Sequence, residues 1–112
     1  MSSDPPAGGS RSGVTVRVHL PTHLRTLAEV EGKLRFELIG PPTLRELLDA
    51  LESRHPVLRG TIRHQRTRER RAFIRYMAGG RDLSLDPPDT RLPEEVLSGK
   101  EPFRVVGAIA GG

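Results

Sequence analysis

The chain has 112 residues, 35% of them hydrophobic and 29% charged, with a formal net charge of +4, a balance that suits one soluble domain with a modest core and excludes a disordered polyelectrolyte. It contains no cysteine, which excludes disulfides, thiolate metal sites and a catalytic thiol. No apolar run approaches the roughly 18 residues that span a bilayer, and the first residues lack the charged-then-apolar order of a secretory signal; no membrane association and a cytoplasmic location are expected.

Residues 1–13, MSSDPPAGGSRSG, hold Pro, Gly and Ser with almost nothing to bury, and read as a disordered leader. Residues 14–106 read as one folded domain. In it Val14, Val16, Val18 and Leu20 alternate with Thr15, Arg17 and His19, the period-2 pattern of a strand with one buried face. Leu34, Phe36 and Leu38 repeat the alternation around Arg35 and Glu37. Between them Leu24 and Leu27 are spaced as on a single helical turn, so an antiparallel hairpin with an elaborated loop is expected.

A helix over about 44–55 follows. Thr43 and Glu46 form a capping-box spacing, and Leu44, Leu47, Leu48 and Leu51 make one apolar stripe. Arg54 and His55 suit the negative end of the helix dipole, and Pro56 stops continuation. Residues 59–71 carry six arginines and little apolar content beyond Ile62; they read as a solvated connector. The segment AFIRYM is a third strand, turned by Ala78-Gly79-Gly80 into a short partner, RDLSL. One turn of helix is expected near 93–97, and a last strand over Phe103–Val106. One striped helix can cover one face of one small sheet, and the helix after the first hairpin provides the crossover that parallel pairing needs. The expected fold is α+β: a β-grasp, a mixed sheet of four to five strands curled around one helix.

The chemistry-bearing residues exclude more than they suggest. His19 and His23 are separated by Pro21, and His55 and His64 lie in different elements without an acidic cluster, so no metal site is expected. Asp82, Asp86 and Asp89 follow no calcium-loop pattern. The Ala78-Gly79-Gly80-Arg81-Asp82 stretch lacks the lysine and hydroxyl of a nucleotide-binding loop. No nucleophile–base–acid set is present, and the chain is not expected to be an enzyme. Clustered arginine keeps a small basic nucleic-acid-binding module as an alternative. No aromatic interleaves the run, however, and Glu69 interrupts it, so nucleic acid is not the expected partner.

Residues 107–112, GAIAGG, read as a flexible tail directly after a strand. Glycine has no Cβ, so Gly111 and Gly112, with Ala110, can thread a channel too narrow for other residues. The terminal carboxylate is ionised and a poor acyl donor; to react it must be activated, as in an acyl-adenylate made by an ATP-using partner. Gly112 would then accept sulfur, giving a thiocarboxylate, or an amine, giving a conjugate.

With its opening strand running into LPTHLRTLA, its helix TLRELLDALESRHPVL, its hairpin FIRYMAGGRD and its end FRVVGAIAGG, the chain resembles the ubiquitin-like sulfur-carrier family. That family includes the small subunit of molybdopterin synthase and the thiamine sulfur carrier. The resemblance runs from about Val14 to Gly112. It implies a β-grasp fold and adenylation of Gly112 by an enzyme related to ubiquitin activators. A sulfur donor protein and an acceptor synthase, molybdopterin-type foremost, would be the further partners. No cofactor would be bound, ATP being used by the activating partner. It also implies docking on apolar surface near the last strand, for which Val106, Ile109 and Leu20 are the candidates by position. The alternative is a ubiquitin-like modifier joined through Gly112 to target lysines.

Overall fold

The computed structural model describes residues 13–107. The expected leader lies outside the described residues except for Gly13, and the expected tail except for Gly107. The elements in chain order are β1 (Gly13–His19), α1 (Thr22–Ala28), β2 (Lys33–Ile39), α2 (Leu44–Arg54), a 3-10 turn (Pro56–Leu58), β3 (Ile74–Ala78), β4 (Arg81–Asp82), α3 (Glu94–Leu97) and β5 (Phe103–Gly107).

The sheet order is β2-β1-β5-β3-β4. β1 pairs antiparallel with β2, from Gly13↔Ile39 to His19↔Lys33, and parallel with β5 through Val18↔Phe103 and His19↔Arg104. β5 pairs antiparallel with β3 on its other side, from Met77↔Arg104 to Ile74↔Gly107. The mixed sheet with a central parallel pair, crossed by α2, is the β-grasp.

The alternation along each strand decides which face is core. Val16, Val18, Phe36, Ile74, Tyr76, Ala78, Phe103 and Val105 are buried against the α2 stripe of Leu44, Leu47, Leu48 and Leu51. Burying a residue of the Leu or Phe type contributes about 1.5–3 kcal/mol relative to leaving it exposed, so this one layer supplies most of the driving force. Tyr76 and Phe103 stack at 5.6 Å between ring centroids. At its start α2 has the full capping box: the Thr43 side chain accepts from the Glu46 amide at 3.2 Å, and Glu46 accepts from the Thr43 amide at 2.8 Å. At its end the Arg54 guanidinium lies 4.0 Å over the Phe36 ring and donates to the Arg35 carbonyl at 2.7 Å, fixing the helix to β2.

Three expectations need correction. The loop of the first hairpin holds a complete seven-residue helix, α1, where the Leu24–Leu27 spacing implies a single helical turn; it buries Leu24 and ends at Glu29 in a left-handed conformation. The partner of β3 is a strand only at Arg81–Asp82, because Leu83 and Ser84 turn inward and are buried. The arginine-rich connector is not simply solvated. Ile62 and Arg63 are buried, and Arg63 donates to Glu52 at 3.0 Å and to Asp49 at 2.8 Å, both on α2. Arg68 reaches the other Glu52 oxygen at 2.9 Å. Arg70 donates to the carbonyls of Ser84 and Ile74 at 2.9 and 2.7 Å. Burial alone would lower the Arg63 pKa, but the hydrogen bonds and charges of Glu52 and Asp49 outweigh it and hold it above its ordinary value. The connector is therefore pinned to α2 by a buried ion network.

Candidate functional site

The site begins where β5 ends. β1 leaves the side of β5 after His19↔Arg104, while β3 stays paired with it as far as Ile74↔Gly107. On that free flank Pro21 starts α1, and the helix brings its His23 ring against the strand's last residue. A Cβ placed on Gly107 would lie 3.0 Å from His23 Cε1, so the glycine allows the close approach of helix and strand. Phe73, 40% exposed, immediately precedes the residue paired with Gly107.

Of the residues singled out from sequence, Val106 stands 37% exposed on the outer face of β5. Leu20 is corrected: it is 6% exposed and belongs to the core cluster. It follows the outward-facing His19 in the alternation and continues the inward row of Val16 and Val18, so packing occupies it. Ile109, Ala110, Gly111 and Gly112 lie outside the described residues. Gly107 belongs to β5, which moves the end of the folded domain one residue beyond Val106.

The outer face around this strand carries cations that were not singled out as site residues. Arg17 and His19 on β1, Lys33 and Arg35 on β2, Arg75 on β3 and Arg104 on β5 all alternate with buried positions. The His19 imidazole has its pKa lowered by burial and then by the charges of Arg104, Lys33 and Arg17. The same alternation that identified the core face could have revealed this one: Arg17, Arg35, Arg75 and Arg104 each stand beside a buried Val, Phe, Ile or Tyr, and Lys33 beside the partly buried Leu34.

The other candidates do not assemble. Among the described residues no group of three His, Asp or Glu side chains could hold a metal ion, and no helix is long and apolar enough to cross a membrane. Asp82 is engaged by Arg75 at 2.7 Å and Asp89 by Arg45 at 2.6 Å. A cavity of about 430 Å³ opens between α2, the connector and residues 84–88, but it draws no lining residue from α1 or β5. The arginines Arg63 and Arg68 on its wall are already paired with α2 carboxylates.

No protein-family model matches the sequence, and no curated protein matches it. Solved structures do share its fold. SAMP1 from Haloferax volcanii superposes with a TM-score of 0.67 at 18% identity, over 88% of this chain and 99% of that one. The small archaeal modifier protein 1 of Methanosarcina acetivorans gives 0.66 at 18% identity, over 89% and 98%. A chain of the BexX/CysO complex of Amycolatopsis orientalis gives 0.63 at 24% identity, over 87% and 99%. With the strand order described above, these likenesses establish the fold as the ubiquitin-like β-grasp.

Proposed function

We propose that the chain is a sulfur carrier whose reactive group is the carboxylate of Gly112. An activating enzyme would join that carboxylate to ATP, releasing pyrophosphate and leaving an acyl-adenylate. Sulfide-level sulfur delivered by a donor protein would then displace AMP, and the resulting thiocarboxylate would give its sulfur to an acceptor synthase, with water returning the carboxylate. The sequence resemblance puts a molybdopterin-type synthase first among the acceptors. In this reading the protein is a substrate of its partners and catalyses nothing itself.

The observation that carries the reading is the position of β5. The strand that leads into the glycine end lies at the centre of the sheet, paired on both sides, with Gly107 still held against Ile74. The end therefore starts from a fixed point. Five residues beyond Gly107 reach at most about 17 Å when fully extended, enough to enter a partner's active site while the folded body stays outside. His23 and Phe73 surround the point of departure.

A second reading has its own support, because two of the structural likenesses are to proteins named as modifiers. In it the adenylate is attacked by a lysine amine of a target protein. Both readings are tested by incubating protein ending at Gly112 with ATP, a sulfur source and the activating enzyme of its host, followed by intact mass spectrometry and peptide mapping. Replacement of one oxygen by sulfur at Gly112 supports the carrier, and a Gly-Gly branch on a foreign lysine supports the modifier. If an enzyme active on another carrier yields neither product, both readings fail.

A further inference from the structure

The face of the sheet turned away from α2 has one dominant sign of charge. The register sets Arg17 directly opposite Arg35, and His19 directly opposite Lys33 on one side and beside Arg104 on the other. Like charges opposed across a ladder, as Arg17 and Arg35 are, are destabilising, and the lowered pKa of His19 reflects the positive charge of Arg104, Lys33 and Arg17 around it as well as its burial. Packing gives no reason to accept that cost. Where the same sheet does balance its charges, it does so at the margin, where Arg75 pairs with Asp82 at 2.7 Å; Glu37 accepts only from the neutral Thr15 hydroxyl, at 2.9 Å. In the middle, among the described residues, Lys33, Arg35 and Arg104 have no carboxylate within ion-pair distance. Arg17 donates to the Gly99 carbonyl at 2.6 Å, a neutral acceptor that fixes the guanidinium and leaves its charge uncompensated. Between these cations lie Val106, exposed, and Met77, half-buried, opposite Arg75 and Arg104.

We propose that this face, formed by Arg17, Lys33, Arg35, Arg104 and Val106, docks an acidic protein surface on the enzyme that activates Gly112. The inference rests on the carrier or modifier reading and replaces its expectation of an apolar docking surface with a mainly electrostatic one. Two features favour a protein over a nucleic acid. The rings of Phe36, Tyr76 and Phe103 face the core, and the one aromatic with exposed surface, Phe73, precedes β3 rather than standing among Arg17, Lys33 and Arg35, so no row of aromatics interleaves these cations on which successive bases could stack. Glu37, which has no cation within ion-pair distance among the described residues, flanks the patch on β2, where it repels a polyanion running across it but leaves a compact acidic surface free to fit beside it. Recognition by complementary charge acts mainly on the rate of encounter, so it is expressed in KM.

The test is ATP–pyrophosphate exchange by the host activating enzyme, measured against the concentration of the full chain. The triple variant Arg17→Glu/Arg35→Glu/Arg104→Glu is expected to raise KM at least about tenfold, equivalent to about 1.4 kcal/mol, with kcat unchanged. The same triple with Gln should give a smaller rise. Rising salt should raise KM for the unaltered chain, have less effect on the Gln triple, and lower KM for the Glu triple by screening its repulsion. Arg59→Glu/Arg66→Glu, on the exposed part of the connector, reverses two charges outside this face and should leave KM unchanged. Circular dichroism establishes that each variant is folded, and relief of like-charge opposition should leave the Gln triple at least as stable as the parent. Unchanged KM in both triples overturns the docking inference while leaving the carrier reading intact. Binding of a single-stranded oligonucleotide that the Glu triple abolishes, with KM unchanged, overturns it in favour of nucleic acid. Absence of exchange with the unaltered chain overturns the reading at Gly112 and the docking inference with it.

Discussion

Replacing Glu52 by alanine tests the account of the arginine-rich connector most directly. Glu52 is 4% exposed and holds Arg63, also 4% exposed, with one oxygen and Arg68 with the other. Removing it leaves the Arg63 guanidinium buried with only Asp49, whose side chain is 52% exposed. Breaking a buried ion pair from one side typically costs about 3–5 kcal/mol. That is a large part of the roughly 5–15 kcal/mol by which such domains are stable. For a domain of this size it corresponds to a fall in Tm of roughly 15–30 °C. The double variant Glu52→Leu/Arg63→Leu removes both buried charges and should recover most of the loss, because a well-packed apolar pair often matches a buried ion pair. Urea titration followed by circular dichroism measures these proteins together with Glu52→Leu and Arg63→Leu, and the double-mutant cycle over the leucine variants gives the coupling. A loss below about 1 kcal/mol in the single variant, or a double variant as unstable as the single, would refute the reasoning.

Tyr76 is the only tyrosine and there is no tryptophan, so absorbance near the tyrosinate band reads it alone. Burial pushes its hydroxyl up to about 12 from 10.0, against the opposing charges of Arg63 and Arg70. The unfolded chain ionises first, so stability should fall as pH rises from 10 toward 12, and Tyr76→Phe should remove that slope. A midpoint at the ordinary value in the folded protein would contradict the burial argument. Hydrogen bonds from Ser84, and then Arg75, hold the Asp82 carboxyl at about 2, below its ordinary 3.8. The stability it contributes is present above 3.8 and lost as pH falls toward 2, so Asp82→Asn should flatten the acid limb of a pH–Tm profile. Thr43→Ala removes one half of the capping box and should cost about 1 kcal/mol; urea midpoints that coincide with the parent's would show that the helix start is held by other contacts.

Where the sequence carried a periodic pattern, the fold could be read from it. Strands β1 and β2, helix α2 with its cap, the glycine turn after Ala78 and the helical turn near 94–97 all follow from spacing alone. Helix α1 was visible only as the Leu24–Leu27 pair. It is short, and of its remaining positions only Ala28 is apolar, so its burial is set by the sheet and the 3-10 turn it packs against. The connector misled because arginine usually marks solvent. The signal that could have corrected this was Glu52, which sits within the apolar stripe of α2, four residues after Leu48 and next to Leu51. A carboxylate on a buried face requires a cation, and the next arginines outside the helix lie in the connector. Leu20 continued the inward alternation of β1, so its core position was equally legible there. The approach of His23 to Gly107 was not legible, since it depends on how α1 sits beside β5.

The central position of β5 also concerns how the protein comes to exist. The ribosome makes the β1–β2 hairpin early and the β3–β4 hairpin later, and neither can join the other until the residues from Phe103 to Gly107 are inserted between them. Before that, β1 and β3 each keep an open edge of the kind that invites mispairing. Pairing Val18 with Phe103 closes nearly the whole chain into a loop, a slow kind of contact to form. The strand bearing the glycine end is thus also the strand whose arrival completes the sheet. A partner that grips β5 together with β1 would therefore engage only molecules whose sheet is complete.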